Sequence, residues 1–222
     1  DFELYIPDNG LCDSVQPIFH RRAEKSVDAV SDQFQFCNAS IPIHGKVAIR
    51  IKPAVPIVEN LRRKIVIRIS DKKGMAYKKA EWQNDDWFSA NFNSFGSFQA
   101  FVDSEPPSIN GMRRVDTIDL SSSKNIIFYP KDNSGIKSFR AELDGKWLMF
   151  TNDKGSAFVY NFDERWPYGI HELKLIIEDI VGNSTENEWV IKRYPYAAPK
   201  KKIESSKKHG STTKKKPTSK KK

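Results

Sequence analysis

Ser138-Phe139-Arg140-Ala141-Glu142-Leu143-Asp144-Gly145-Lys146-Trp147-Leu148-Met149-Phe150 is the stretch that decides the fold. Phe139, Ala141 and Leu143 alternate with Ser138, Arg140 and Glu142, which makes one face of an extended segment apolar and the other polar. Asp144-Gly145 then stands where a two-residue hairpin turn needs both central residues at positive φ. The stretch predicts a β-hairpin. Outward from it, Asp132-Asn133-Ser134-Gly135-Ile136 before and Asp179-Ile180-Val181-Gly182-Asn183 after mark further turns.

Between residues 110 and 194 seven strands are predicted: Val115 to Leu120, Lys124 to Tyr129, Ile136 to Leu143, Lys146 to Thr151, Ala157 to Phe162, His171 to Glu178 and Glu186 to Arg193. About seven short strands with turns every eight to twelve residues or so is the pattern of an immunoglobulin-like sandwich. There is no Cys…Trp…Cys framework, so the likeness is one of architecture. Residues 1–103 read as a first sandwich. Glu3 to Ile6 is a strand stopped by Pro7, and Val15 to Phe19 is a weaker strand. Lys46 to Lys52 and Lys64 to Ser70 alternate Val47, Ile49, Ile51 and Ile65, Ile67, Ile69 against polar partners, as strands of an outer sheet would. Phe95 to Val102 closes the unit.

Residues 104–109 carry Pro106-Pro107 and read as a stiff spacer. The fold class is therefore all-β: two tandem β-sandwich domains, 1–103 and 110–194, the second immunoglobulin-like. Residues 195–222 form a basic tail, predicted to be disordered because it has too little apolar surface to offset the entropy of ordering.

The 222 residues carry a formal net charge of +9. Of 37 basic residues eleven are tail lysines, against one of 28 acids, which leaves 26 and 27 in the body. The excess charge belongs to the tail alone, and only Lys200, Lys201, Lys202, Lys207, Lys208, Lys214, Lys215, Lys216, Lys220, Lys221 and Lys222 form a candidate polyanion-binding set. Without arginine or interleaved aromatics it offers salt-sensitive attraction to anionic envelope polymers or headgroups, and specific nucleic-acid recognition is not expected. No apolar run approaches the ~18 residues of a transmembrane span. The start at Asp1, without Met or a leader-like segment, is read as part of a longer exported protein.

No residue pattern marks catalysis. Cys-x-x-Cys, His-Glu-x-x-His, Gly-x-Ser-x-Gly and the phosphate-loop motifs are all missing from the sequence, so no enzyme, metal or cofactor is expected. His20 reads as solvated, His44 as a strand-edge residue and His171 as the cap of a core face. Asp132, Asn133 and Asp179 admit calcium ligation, but Asx-turns need the same residues and are preferred. Cys12 and Cys37 are either a disulfide or two buried thiols. Trp147 and Trp189 lie inside strands and read as core. Trp166, ahead of Pro167-Tyr168, reads as the exposed ring, making Trp166 and Tyr168 the candidate glycan platform.

Six segments occur in a telling order: Ile6 to Leu11; Ile41 to His44 before Val47 to Lys52; Phe95 to Phe98 running into Asp103 to Ile109; Asp132 to Ile136; Leu143 to Trp147; and Gly169 to Leu173 leading to Asp179 to Asn183. Together they resemble the carboxy-terminal, non-catalytic region of envelope metallopeptidases of the M23 (lysostaphin/LytM-like) type of Gram-negative bacteria. The resemblance implies an upstream domain that binds zinc through His-x-x-x-Asp and His-x-His. None of His20, His44, His171 and His209 has that spacing, and the lysine tail also departs from the family. The implied role is an accessory or positioning module in the periplasm. Its partner would be a catalytic peptidase domain or another envelope protein, or peptidoglycan. The alternatives are a stand-alone glycan- or cell-surface-binding sandwich and a polyanion binder acting through the tail.

Overall fold

In the computed structural model residues 1–23, 26–72, 74–83, 85–110, 117–152 and 155–195 are described. The candidate polyanion lysines, Lys200 to Lys222, lie outside them, as does part of the strand expected at 115–120. The described chain is all-β, with one short 3-10 segment, Glu59–Lys64. Among the described residues no helix is long and apolar enough to cross a membrane.

In the first sandwich, β1 (Phe2–Tyr5), β4 (Val47–Ile51), β7 (Glu81–Trp82) and β8 (Phe88–Phe92) form a sheet in the order β1-β4-β8-β7. Opposite it, β2 (Phe19–Arg22), β3 (Gln33–Phe36), β5 (Ile65–Asp71), β6 (Gly74–Lys79) and β9 (Gly96–Val102) form a second, in the order β2-β3-β9-β5-β6. Val47, Ile49 and Ile51 meet Phe34, Ile65, Ile67 and Phe98 in one buried cluster, because period-two alternation turns each apolar set toward the facing sheet. Two expectations are corrected here. The strand begins at Phe19 rather than Val15, since Pro17 has no N–H to give a ladder. The alternation read at 64–70 fails at Val66, which is buried like its neighbours, because β5 lies inside its sheet between β9 and β6.

The second sandwich pairs β10 (Ser108–Asn110), β12 (Asn125–Lys131) and β15 (Phe158–Asn161) with a five-stranded sheet. That sheet runs β11-β17-β16-β13-β14 and is built from β11 (Ile118–Asp119), β13 (Ile136–Leu143), β14 (Lys146–Leu148), β16 (Gly169–Asp179) and β17 (Ser184–Arg193). Its core gathers Ile126, Phe128, Leu143, Tyr160, Trp166, Leu173, Leu175 and Ile191, and is separate from the first. The β13–β14 turn has Asp144 at φ 50° and Gly145 at φ 75°, the conformation expected of the Asp-Gly pair. The spacer is less of a spacer than its prolines suggest: Ser108, Ile109 and Asn110 pair with Lys131, Pro130 and Tyr129, so its end is the first strand of the second sandwich.

Candidate functional site

The register of two strand pairs brings three turns to one place. Because β10 runs antiparallel to β12 with Ser108 opposite Lys131, the turn after β12 lies beside the linker. Because Ile136 is opposite Asp179, the turn after β16 lies beside the start of β13. Asp103, Asp132 and Asp179 thus converge, each with a carboxylate oxygen no more than 4.8 Å from those of the others.

Local hydrogen bonding explains how each is held. Asp103 follows β9 and stays tied to the first sandwich, its N–H donating to the Lys64 carbonyl at 2.8 Å, while its Oδ1 accepts from the Glu105 N–H at 3.3 Å. Asp132 Oδ2 accepts from the Ser134 N–H at 3.1 Å. Asp179 Oδ1 accepts from the backbone N–H groups of Val181, Gly182 and Asn183 at 2.8, 2.6 and 2.8 Å. These are the Asx-turns expected at Asp132 and Asp179. Asn183 Nδ2 donates to Asp179 Oδ2 at 2.6 Å and reaches across to the carbonyls of Asp103 at 3.1 Å and Glu105 at 3.4 Å. Thr185 donates to the Pro107 carbonyl.

The turns leave a residue of unsatisfied oxygen. Asp103 is 2% exposed and Asp179 fully buried, and Asp103 Oδ2, Asp132 Oδ1 and Ser134 Oγ are buried without a hydrogen-bond partner. Burial, then the negative charge of Asp103 and Asp179, pushes the Asp132 carboxyl above its ordinary value. An oxygen-only, anionic set of this kind can hold a hard cation and is poorly suited to zinc. Asp103 went unnoticed in the sequence because Asp103-Ser104-Glu105-Pro106 reads as spacer, and nothing local says that it faces turns 29 and 76 residues away.

The other candidate residues are not brought together. Trp166 is fully buried, its ring edge-on to Phe162 at 5.0 Å, which corrects the expected glycan platform: only Tyr168 is exposed, beneath the Arg193 guanidinium at 4.6 Å. Phe162, Tyr160 and Trp166 complete one aromatic cluster, so the ring fills the core that its neighbours leave open. Trp147 is corrected in the other direction. It is 59% exposed, since on edge strand β14 it is Leu148 that turns inward. Trp189, expected in the core, is half-buried and packs against its margin, on Phe128 at 5.6 Å. Cys12 and Cys37 are free thiols, the first exposed and the second in the core of the first sandwich, so neither the disulfide nor the pair of buried thiols is found. His20 and His44 are exposed. His171 Nδ1 lies 2.6 Å from Asp144 Oδ2, a pairing that resembles half a catalytic triad. Its Nε2, however, is buried without a partner against Gly169, where an added Cβ would come within 3.1 Å, so it presents no base to a substrate.

Residues 1–103 match the family model of the Zu5-like domain, and the first sandwich is similar to that domain. Among solved structures, the fibronectin(III)-like modules of Clostridium thermocellum CbhA align over 67% of this chain and 84% of theirs, at 11% identity and a TM-score of 0.31. No curated protein matches the sequence.

Proposed function

We propose that the chain is a non-catalytic positioning module, two sandwiches held in a set relation so that whatever is joined to them is placed rather than merely tethered. The observation that carries this reading is the latch on the linker: Asn183 holds the carbonyls of Asp103 and Glu105, and Thr185 holds that of Pro107. A proline-rich connection has few ways to bend, and one whose carbonyls are also bonded to the next domain transmits orientation. In its finer form the module is accessory to an M23-type envelope peptidase in the periplasm, with the catalytic domain as its partner and peptidoglycan as that partner's substrate. The order of the six segments from Ile6 to Asn183 supports this form.

Two measurements test the two levels separately. Small-angle X-ray scattering of the chain should give a narrow distribution of interdomain distances that broadens in the Asn183→Ala/Thr185→Ala variant while both sandwiches stay folded; an equally broad distribution in the parent would sink the positioning role. For the finer form, the reading frame upstream of Asp1 should encode His-x-x-x-Asp and a later His-x-His. A full reading frame without them removes the peptidase and leaves positioning intact.

A further inference from the structure

We propose that Asp103, Asp132 and Asp179 form a calcium site that clamps the linker to the second sandwich. The three carboxylates come from three separate segments and place oxygens within 4.8 Å of one another, with Asp103 2% exposed and Asp179 fully buried. Proximity of acids alone would not make a site. The independent sign is that Asp103 Oδ2 and Asp132 Oδ1 are shut away from solvent with nothing donating to them, whereas both carboxylate oxygens of Asp179 accept hydrogen bonds. A buried anionic oxygen without a donor or counter-charge is strongly unfavourable, and two at one place call for a cation.

Among the described residues no side chain supplies it. None of the ion pairs among the described residues involves any of the three acids, and Lys137, on the neighbouring strand, is engaged by Glu178. A single shared proton would satisfy one contact between two oxygens and leave the third carboxylate charged beside them. A divalent ion offsets more of the charge and accepts several oxygens at once.

The chemistry selects the ion. There is no sulfur or imidazole in the group, which disfavours zinc. Calcium, with bonds of about 2.4 Å and tolerance of irregular coordination, can span oxygens as far apart as these, whereas magnesium demands a tighter octahedron at about 2.1 Å. Since the Asp103 N–H is bonded to the Lys64 carbonyl, an ion held there would join the last residue of the first sandwich to two turns of the second. The inference goes beyond the positioning role and does not depend on which partner the module carries.

The full 222-residue chain, stripped with EGTA, is titrated calorimetrically with calcium chloride and separately with magnesium chloride, and its thermal unfolding is followed with and without calcium. One calcium per chain is expected, with a rise of several degrees in Tm at saturating calcium. Asp132→Asn, which keeps an acceptor for the Ser134 N–H, should weaken binding about tenfold or more, as should Asp103→Asn, while Glu142→Gln, near the other end of β13 and paired with Arg140, should leave it unchanged. Binding that is indifferent to Asp132→Asn and Asp103→Asn overturns the proposal, as does an equal response to magnesium. A Tm that ignores calcium while Asp132→Asn raises it would assign the cluster to a shared proton instead.

Discussion

Asn183 donates from Nδ2 to the backbone carbonyl of Asp103, 3.1 Å away, although 80 residues separate them in the chain. The same amide holds Asp179 Oδ2, so one side chain ties the turn after β16 to the exit of the first sandwich. Asn183→Ala should therefore cost about 1–3 kcal/mol, the range for leaving buried acceptors without a donor. Urea denaturation would measure the loss. Limited proteolysis should show faster cleavage within residues 104–106, which are exposed and lose their anchor.

The carboxylate cluster predicts an inverted pH response. Because the folded state raises the Asp132 carboxyl, protonation favours folding there, so its contribution is fully present below the ordinary pKa of 3.8 and is lost as pH rises through the raised value. In chelator, Asp132→Asn should gain stability relative to the parent as pH climbs from acid to neutral. A difference that is flat with pH would contradict the charge balance described above.

Asp144 behaves oppositely. Burial works to raise its carboxyl, but the Glu172 N–H at 2.8 Å and the His171 ring outweigh it and hold the group below the usual 3.8. Its contribution is present at neutral pH and lost as pH falls through that depressed value. Asp144→Ala should cost about 1 kcal/mol near neutrality, and the difference from the parent should vanish in strong acid, followed by thermal unfolding across pH.

Trp166→Ala should destabilise the second sandwich by about 3–5 kcal/mol, since the whole indole leaves a cavity beside Tyr160 and Phe162. Tyr168→Ala removes an exposed ring and its contact with Arg193, a change of about 1 kcal/mol or less. If the two variants were equally mild in chemical denaturation, the indole could not be filling the core.

The cysteines separate by accessibility. Iodoacetamide should label Cys12 in the native protein and Cys37 only after denaturant is added, as peptide mass mapping would show. A reducing agent should leave the Tm unchanged.

Much of the second sandwich was legible because its signals are local. Alternation over Phe139, Ala141 and Leu143 and the Asp-Gly turn depend on neighbours in sequence, and β12 to β17 fall where that grammar predicts them. In the first sandwich, β3, β6, β7 and β8 escaped notice, and β2 was foreseen only at its first residue, Phe19. Arg21 and Arg22 on β2 or Lys78 and Lys79 on β6 have no clean apolar side, as suits strands at the edges of a sheet.

Residue order by itself determined that this chain would be all-β, where its strands turn, and that its positive charge sits in the last stretch, because these follow from short-range stereochemistry and composition. Which tryptophan would be inside was settled only by tertiary structure: Trp147 and Trp166 exchange the roles that their neighbours suggest, since burial depends on which sheet face the fold covers. The meeting of Asp103 with Asp132 and Asp179 belongs to the same class. It comes from the antiparallel register of β10 with β12 and β13 with β16, and no short-range pattern encodes how turns so far apart stack at one end of a sandwich.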